Sequence, residues 1–181
     1  FLINPLDAVG TDFYWIAADL KENSYPIWIL NHYNFYNNLS KTGKRPMLLS
    51  KNVKIAPHRY PVIYTGKTTV SWNTLKTITL HNVKETNMGA NFFAHDVGGY
   101  SGGLEDSELY TRFVQFATFA PIFKFGTAEG KYYRREPWSW NYKTYEIAKR
   151  YMNLRHQLIP YLYSESYKYH KYGKPLITPL Y

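Results

Sequence analysis

No cysteine occurs among the 181 residues, which excludes disulfides and thiolate metal sites. No apolar run approaches the ~20 residues that a membrane-spanning helix needs. Acidic residues are scarce: 13 Asp and Glu stand against 22 Lys and Arg, a formal net charge of +9. That balance is the one expected of a nucleic-acid binder only when the cations cluster. Here the lysines are scattered, with no basic block, so nucleic acid is not the expected partner. Internal repeats, low-complexity tracts and an obvious linker are also lacking, and the chain is long enough for one sizeable core. The histidines His32, His58, His81, His156 and His170 show no convergent ligand spacing, so neither a metal nor another cofactor is implied. The first residue is Phe1 rather than methionine, and Tyr181 follows an apolar run, so both ends read as internal to a longer chain. With a natural start out of view, the lack of a visible signal peptide leaves the localisation open.

What is present alternates. Short apolar runs are expected as strands at residues 7–16, 45–50, 61–64, 89–94, 121–125 and 175–180. Between them the spacing predicts helices over residues 25–39, 71–85, 107–117 and 142–172. Gly43 and Gly173 are the expected stops, Ser107 the expected cap of its helix, and Pro160 the interruption of the last one. The inward face of the first helix is expected to carry Ile27, Leu30, Tyr33 or Asn34, and Asn37. The second is expected to bury Leu75, Ile78 and Val83. Strands that are continuous apolar runs argue for a parallel sheet covered by helices. Gly98 to Gly103 reads as a flexible loop: it lacks the Gly-Lys-Ser/Thr ending of a phosphate cradle.

Several stretches then become recognisable together. DFYWIAAD (12–19), GKRPMLLS (43–50), HRYPVIYTGKT (58–68), SWNTL (71–75), NFFAHDVGGYSGG (91–103), ELYTRFVQFATFAPIF (108–123), REPW (135–138) and LRHQLIPYLY (154–163) stand in order and cover nearly the whole chain. This set resembles glycoside hydrolase family 31, which contains α-glucosidases and α-xylosidases. The resemblance implies the C-terminal half of a (β/α)8 TIM barrel, an α/β fold. It also implies that residues 1–181 form part of a single catalytic-type barrel domain, with the family's flanking β-domains outside them.

The family's retaining chemistry needs two carboxyl groups about 5 Å apart across the scissile bond. Its nucleophilic aspartate follows Trp-Ile or Trp-Leu; here Trp15 and Ile16 are followed by Ala17, which has no nucleophile. Its acid/base aspartate follows a glycine; here Gly66 is followed by Lys67. A lysine ammonium, with an ordinary pKa near ~10.4, is a poor proton donor to a glycosidic oxygen. The family's arginine after a serine is matched by Lys51, and its histidine after the seventh strand by Gly126. His95 and Asp96 stay intact, and the family's aspartate at that place binds sugar hydroxyls.

The resemblance therefore implies a barrel kept without its catalytic pair, with Trp15, His95, Asp96 and Lys51 as candidate sugar-binding residues. The expected partners are an α-linked glycan or other protein subunits. The contrary expectation is an active exo-α-glucosidase with rearranged catalysis. Asp19, two residues past Ala17, would share its face in a continuing strand and is the candidate substitute; it also reads as a loop residue or a helix cap. His95 and Asp96 read equally as a sugar site or as a structural pair tying a strand end to its loop. Lys51 and Lys67 make the opening basic, suited to a neutral or anionic glycan; alternatively Lys67 fills the emptied site and pairs with Asp96 or Asp19. Arg59 is expected in an internal ion pair, Trp138 as packing under its loop, and Tyr161, Tyr163, Tyr167, Tyr169 and Tyr172 as packing and surface.

Overall fold

The computed structural model describes residues 13–16, 26–51, 57–60, 62–130 and 134–180. Its internal contacts divide the chain into two units, residues 1–64 and 65–181.

In the first unit, three short strands run parallel: β1 (Phe13–Ile16), β2 (Met47–Lys51) and β3 (Val62–Tyr64). The register sets Trp15 opposite Leu49, Leu49 opposite Val62, and Lys51 opposite Tyr64. Leu48, Leu49 and Ser50 are buried in succession, as are all three residues of β3. Burial on both faces is what a helix-covered parallel sheet requires. Helix α1 (Pro26–Thr42) stops at Gly43, whose φ of +67° suits glycine and whose N–H reaches the Leu39 carbonyl at 2.9 Å.

The inner face of α1 meets expectation in part: Leu30, Asn34 and Asn37 are half-buried, and the Ile27 side chain lies outside the described residues. Asn31 and Asn38 are buried, while Tyr33 is exposed. The reason lies in the facing strand: β2 presents the Ser50 hydroxyl, which accepts from Asn31 Nδ2 at 3.0 Å. Leu30, Trp28 and Phe35 still pack on Leu48 and Tyr60. A short 3-10 turn spans Pro57–Arg59; Arg59 is exposed and ion-pairs with none of the described residues, contrary to its expected internal role.

The second unit holds β4 (Phe92–Ala94) and the helices α2 (Trp72–Thr86), α3 (Ser107–Phe119), α4 (Tyr142–Gln157) and α5 (Ile159–Tyr172). Its core gathers Val70, Ile78, Val97, Leu109, Tyr110, Phe113, Val114, Ala117 and Ala148. Of the residues expected to face inward from α2, Ile78 is buried, while Leu75 and Val83 are half-buried. Each of three helices starts on a side-chain acceptor: Ser71 for α2, Asp106 for α3 and Asn141 for α4. For α3 the cap is thus Asp106, not Ser107. Asp106 Oδ1 takes the N–H groups of Glu108 and Leu109, and its Oδ2 takes Trp72 Nε1 at 3.0 Å. A carboxylate satisfies three donors there, which a serine hydroxyl cannot do.

The long C-terminal helix breaks at Leu158, two residues before Pro160, because the residues ahead of a proline ring leave the helical ladder. It ends at Gly173 with φ +69°.

Two expected strands do not form. Residues 121–125 make a single bridge, Asp96 to Lys124. Proline at 121 has no N–H to donate. Arg155 also draws the local carbonyls away, donating to Thr118, Ala120 and Pro121. Residues 175–180 have no strand partner among the described residues; Leu176 N–H goes instead to Asn91 Oδ1 at 2.7 Å.

Candidate functional site at the carboxyl end of the fourth strand

β4 delivers His95, Asp96 and Val97 into the interior with no exposed surface. Polar groups so placed need partners. Asp96 finds one in Lys124: Lys124 Nζ donates to Asp96 Oδ1. The backbone brings the two together, since Val97 N–H donates to the Lys124 carbonyl at 3.0 Å. The expected ion pair of Asp96 therefore exists, but its cation is Lys124 and not Lys67. Lys67 is exposed and lies 4.8 Å from the centroid of the Tyr100 ring. The reason is backbone placement: residue 124 is bridged to residue 96, whereas the Lys67 loop is fastened further along, at Tyr100.

His95 packs its ring 5.4 Å from that of Phe116. Burial, with the nearby Lys124 charge adding to it, pushes its pKa down to about 4, so the imidazole is neutral at pH 7. Neither ring nitrogen has a hydrogen-bond partner among the described residues.

The loop after Asp96 is pinned, not loose. Gly99 N–H bonds the Asp96 carbonyl at 2.9 Å, and Arg135 Nε donates to the Gly99 carbonyl at 3.1 Å. Tyr100 N–H reaches the Thr68 carbonyl at 2.7 Å, and Ala128 N–H reaches the Tyr100 carbonyl at 2.9 Å. Gly98 and Gly99 adopt φ of +90° and +83°. A Cβ on Gly99 would stand 2.8 Å from Val70 Cα, so both the backbone and the space demand glycine. Arg135, only 3% exposed, is the buried anchor of this region. Tyr110 donates its hydroxyl to the Arg135 carbonyl at 2.8 Å and stacks on Trp140 with ring centroids 4.4 Å apart. Trp138, expected to pack here, is 75% exposed. The neighbouring 3-10 turn, Pro137–Ser139, buries Pro137 and turns Trp138 outward.

The other sequence-selected residues separate. Ala17 and Asp19 lie outside the described residues. Trp15 stands in β1 and Lys51 ends β2, both in the first unit. Lys67, His95, Asp96 and Gly126 belong to the second. Of the tyrosines of α5, Tyr161, Tyr163, Tyr167 and Tyr172 are exposed, while Tyr169 is half-buried and donates its hydroxyl to the Gly89 carbonyl. The contribution of Lys124 was not read from the sequence. Gly126 was the available signal, because an isolated glycine beside an apolar run marks a close approach. Among the described residues no cluster of three His, Asp or Glu could hold a metal, and no helix is long and apolar enough to cross a membrane.

Comparison with known proteins agrees with this architecture. Residues 10–165 match the glycosyl hydrolases family 31 TIM-barrel domain. The chain is 34% identical over 139 residues to alpha-glucosidase 2 of Bacillus thermoamyloliquefaciens, a match covering 77% of the chain and 17% of that enzyme. It is 26% identical over 144 residues to an alpha-xylosidase of Saccharolobus solfataricus, covering 77% of the chain and 19% of that protein. The chain thus spans under a fifth of the length of these relatives. Among solved structures it superimposes on the cycloalternan-forming enzyme of Listeria monocytogenes with TM-score 0.78 at 21% identity, over 86% of the chain and 15% of that protein. That likeness speaks for the fold alone. With parallel strands, covering helices and the matched barrel-domain sequence in agreement, the chain belongs to glycoside hydrolase family 31, within its TIM-barrel domain.

Proposed function

We propose that this chain belongs to a catalytically degenerate family 31 protein, which keeps the barrel to bind a glycan or another protein. On this reading residues 1–181 are part of one barrel domain, and the family's flanking β-domains lie outside them. One observation carries the reading: the position matched to the acid/base aspartate is Lys67, an exposed cation lying over the Tyr100 ring. The nucleophile position is Ala17, whose methyl group forms no glycosyl ester. Retaining hydrolysis needs a carboxyl group at each place. The candidate ligand is an α-linked glycan, for which Trp15, Lys51, His95 and Asp96 are the binding residues.

A second reading, an active exo-α-glucosidase with Asp19 as substitute nucleophile, draws support from relatives that bear the names of α-glucosidases and an α-xylosidase. Hydrolysis of p-nitrophenyl α-D-glucopyranoside by the full-length protein separates the two. Release of nitrophenol at the buffer rate is expected. Turnover above that rate, lost in Asp19→Asn, overturns the degenerate reading in favour of the second.

A further inference from the structure

Lys67 carries its charge at the surface of this loop cluster. The residue is exposed and ion-pairs with none of the described residues. In place of a carboxylate it has a ring: its ammonium lies 4.8 Å from the centroid of Tyr100, within the range of a cation–π contact. A ring quadrupole steadies an ammonium without cancelling its charge, so the N–H donors that the ring does not meet remain for an anion.

The ring is itself held in place. Tyr100 N–H and Ser101 N–H both reach the Thr68 carbonyl, at 2.7 and 3.2 Å, and Ala128 N–H reaches the Tyr100 carbonyl at 2.9 Å. Thr68 directly follows Lys67, so the segment that bears the cation is fastened to the segment that bears its platform. Gly66, just before Lys67, takes φ +93°, which fixes the turn out of which the lysine rises.

We infer that Lys67 selects a glycan whose linkage oxygen carries a phosphate, an α-glycosyl phosphate. The inference rests on the reading of this chain as part of a degenerate barrel that binds a glycan. On that reading residue 67 stands where the acid of a retaining hydrolase reaches the linkage oxygen. A carboxylic acid there serves a neutral leaving group. An ammonium there offers a charge and several N–H donors, which favour a negative group built on that oxygen. Lysine meets phosphate as a point charge and needs no fixed fork geometry, which suits a side chain standing out from a rim. Because Lys67 is exposed, the phosphate meets it from solvent and no passage through the core is required. A phosphate elsewhere on the sugar gains nothing from this cation.

The test titrates the full-length protein at neutral pH with α-D-glucosyl phosphate, methyl α-D-glucopyranoside, glucose phosphorylated on its primary hydroxyl, and inorganic phosphate. Dissociation constants are read by ligand-observed NMR. Wild type is expected to hold the glucosyl phosphate about tenfold tighter than the methyl glucoside. Lys67→Met should bind those two alike, and Lys67→Arg, which restores the charge, should keep most of the preference. The location is read on the wild type as well, by acetic anhydride labelling and peptide mass spectrometry. The glucosyl phosphate should slow acetylation of Lys67 more than the methyl glucoside does.

The inference falls if wild type binds the glucosyl phosphate and the methyl glucoside alike, or if the preference survives Lys67→Met. It falls too if inorganic phosphate or the other glucose phosphate binds as tightly as the glucosyl phosphate, or if Lys67 labels equally with either ligand. Methyl glucoside bound without such a preference sinks the inference and leaves the glycan reading standing; binding of neither sugar sinks both. Nitrophenol release in the same preparations bears on the degenerate reading alone.

Discussion

His95 should make the protein acid-sensitive by an amount that its surroundings fix. The imidazole has no exposed surface, sits against Phe116 and close to Lys124, and has its pKa lowered from 6.5 to about 4. The unfolded chain, with an ordinary histidine, binds the proton more readily. Between those two values the unfolded state therefore holds more protons, and stability rises with pH. The contribution is complete above the unfolded pKa and is lost as the pH falls through the folded one. From about pH 7.5 to about pH 4.5 the loss attributable to this group is about 2.5 kcal/mol.

The assay is urea unfolding of wild type and His95→Phe, followed by tryptophan fluorescence across that range. Phenylalanine keeps a ring beside Phe116 and removes the titration. The variant's absolute stability matters less than its slope: the wild type should lose about 2.5 kcal/mol more than the variant on acidification. A companion NMR titration of the His95 ring proton should show a midpoint near 4. Equal slopes in the two proteins, or a His95 midpoint near 6.5, would refute the burial argument.

Two further outcomes follow from the same loop cluster. Gly99→Ala places a methyl group against Val70 in a left-handed conformation and should cost about 2 kcal/mol or more in thermal or urea unfolding; a variant as stable as wild type would mean that the loop shifts freely. Asp106→Ala removes the acceptor of two helix N–H groups and of Trp72 Nε1, at a cost of about 1–2 kcal/mol. Asp106→Ser should recover part of that, because serine caps the helix but does not reach all three donors.

The sequence made the element order readable wherever one local rule acted alone. Apolar runs flanked by helical spacing placed β2, β3 and β4, and glycines placed the ends of α1 and α5. It misled where an apolar run had no strand to lie against. Residues 121–125 have the composition of a strand, but Pro121 has no N–H to donate, and its carbonyl, with those of Thr118 and Ala120 just before it, is taken by Arg155, more than thirty positions away. The sequence offered Ser107 as the cap of α3; Asp106, one residue earlier, takes that place and also accepts from Trp72 of another helix, a contact no local rule shows. The same holds in the candidate site. His95 and Asp96 could be picked out because they end a strand. Their cation could not, since Lys124 and Lys67 look alike in sequence and differ only in which loop the backbone bridges carry to Asp96. Trp138 and Trp140 differ likewise: the 3-10 turn that holds Trp138 faces it outward, while Trp140, just after the turn, stacks on Tyr110.

Tyr100 ties three segments through one residue, its amide to Thr68, its carbonyl to Ala128 and its ring to Lys67. Such a rivet fixes segment lengths. Adding or deleting a single residue between Asp96 and Ser101 would shift every one of these attachments out of reach at once. This rim can change its chemistry by exchanging side chains, but not by growing or shortening the loop that bears them.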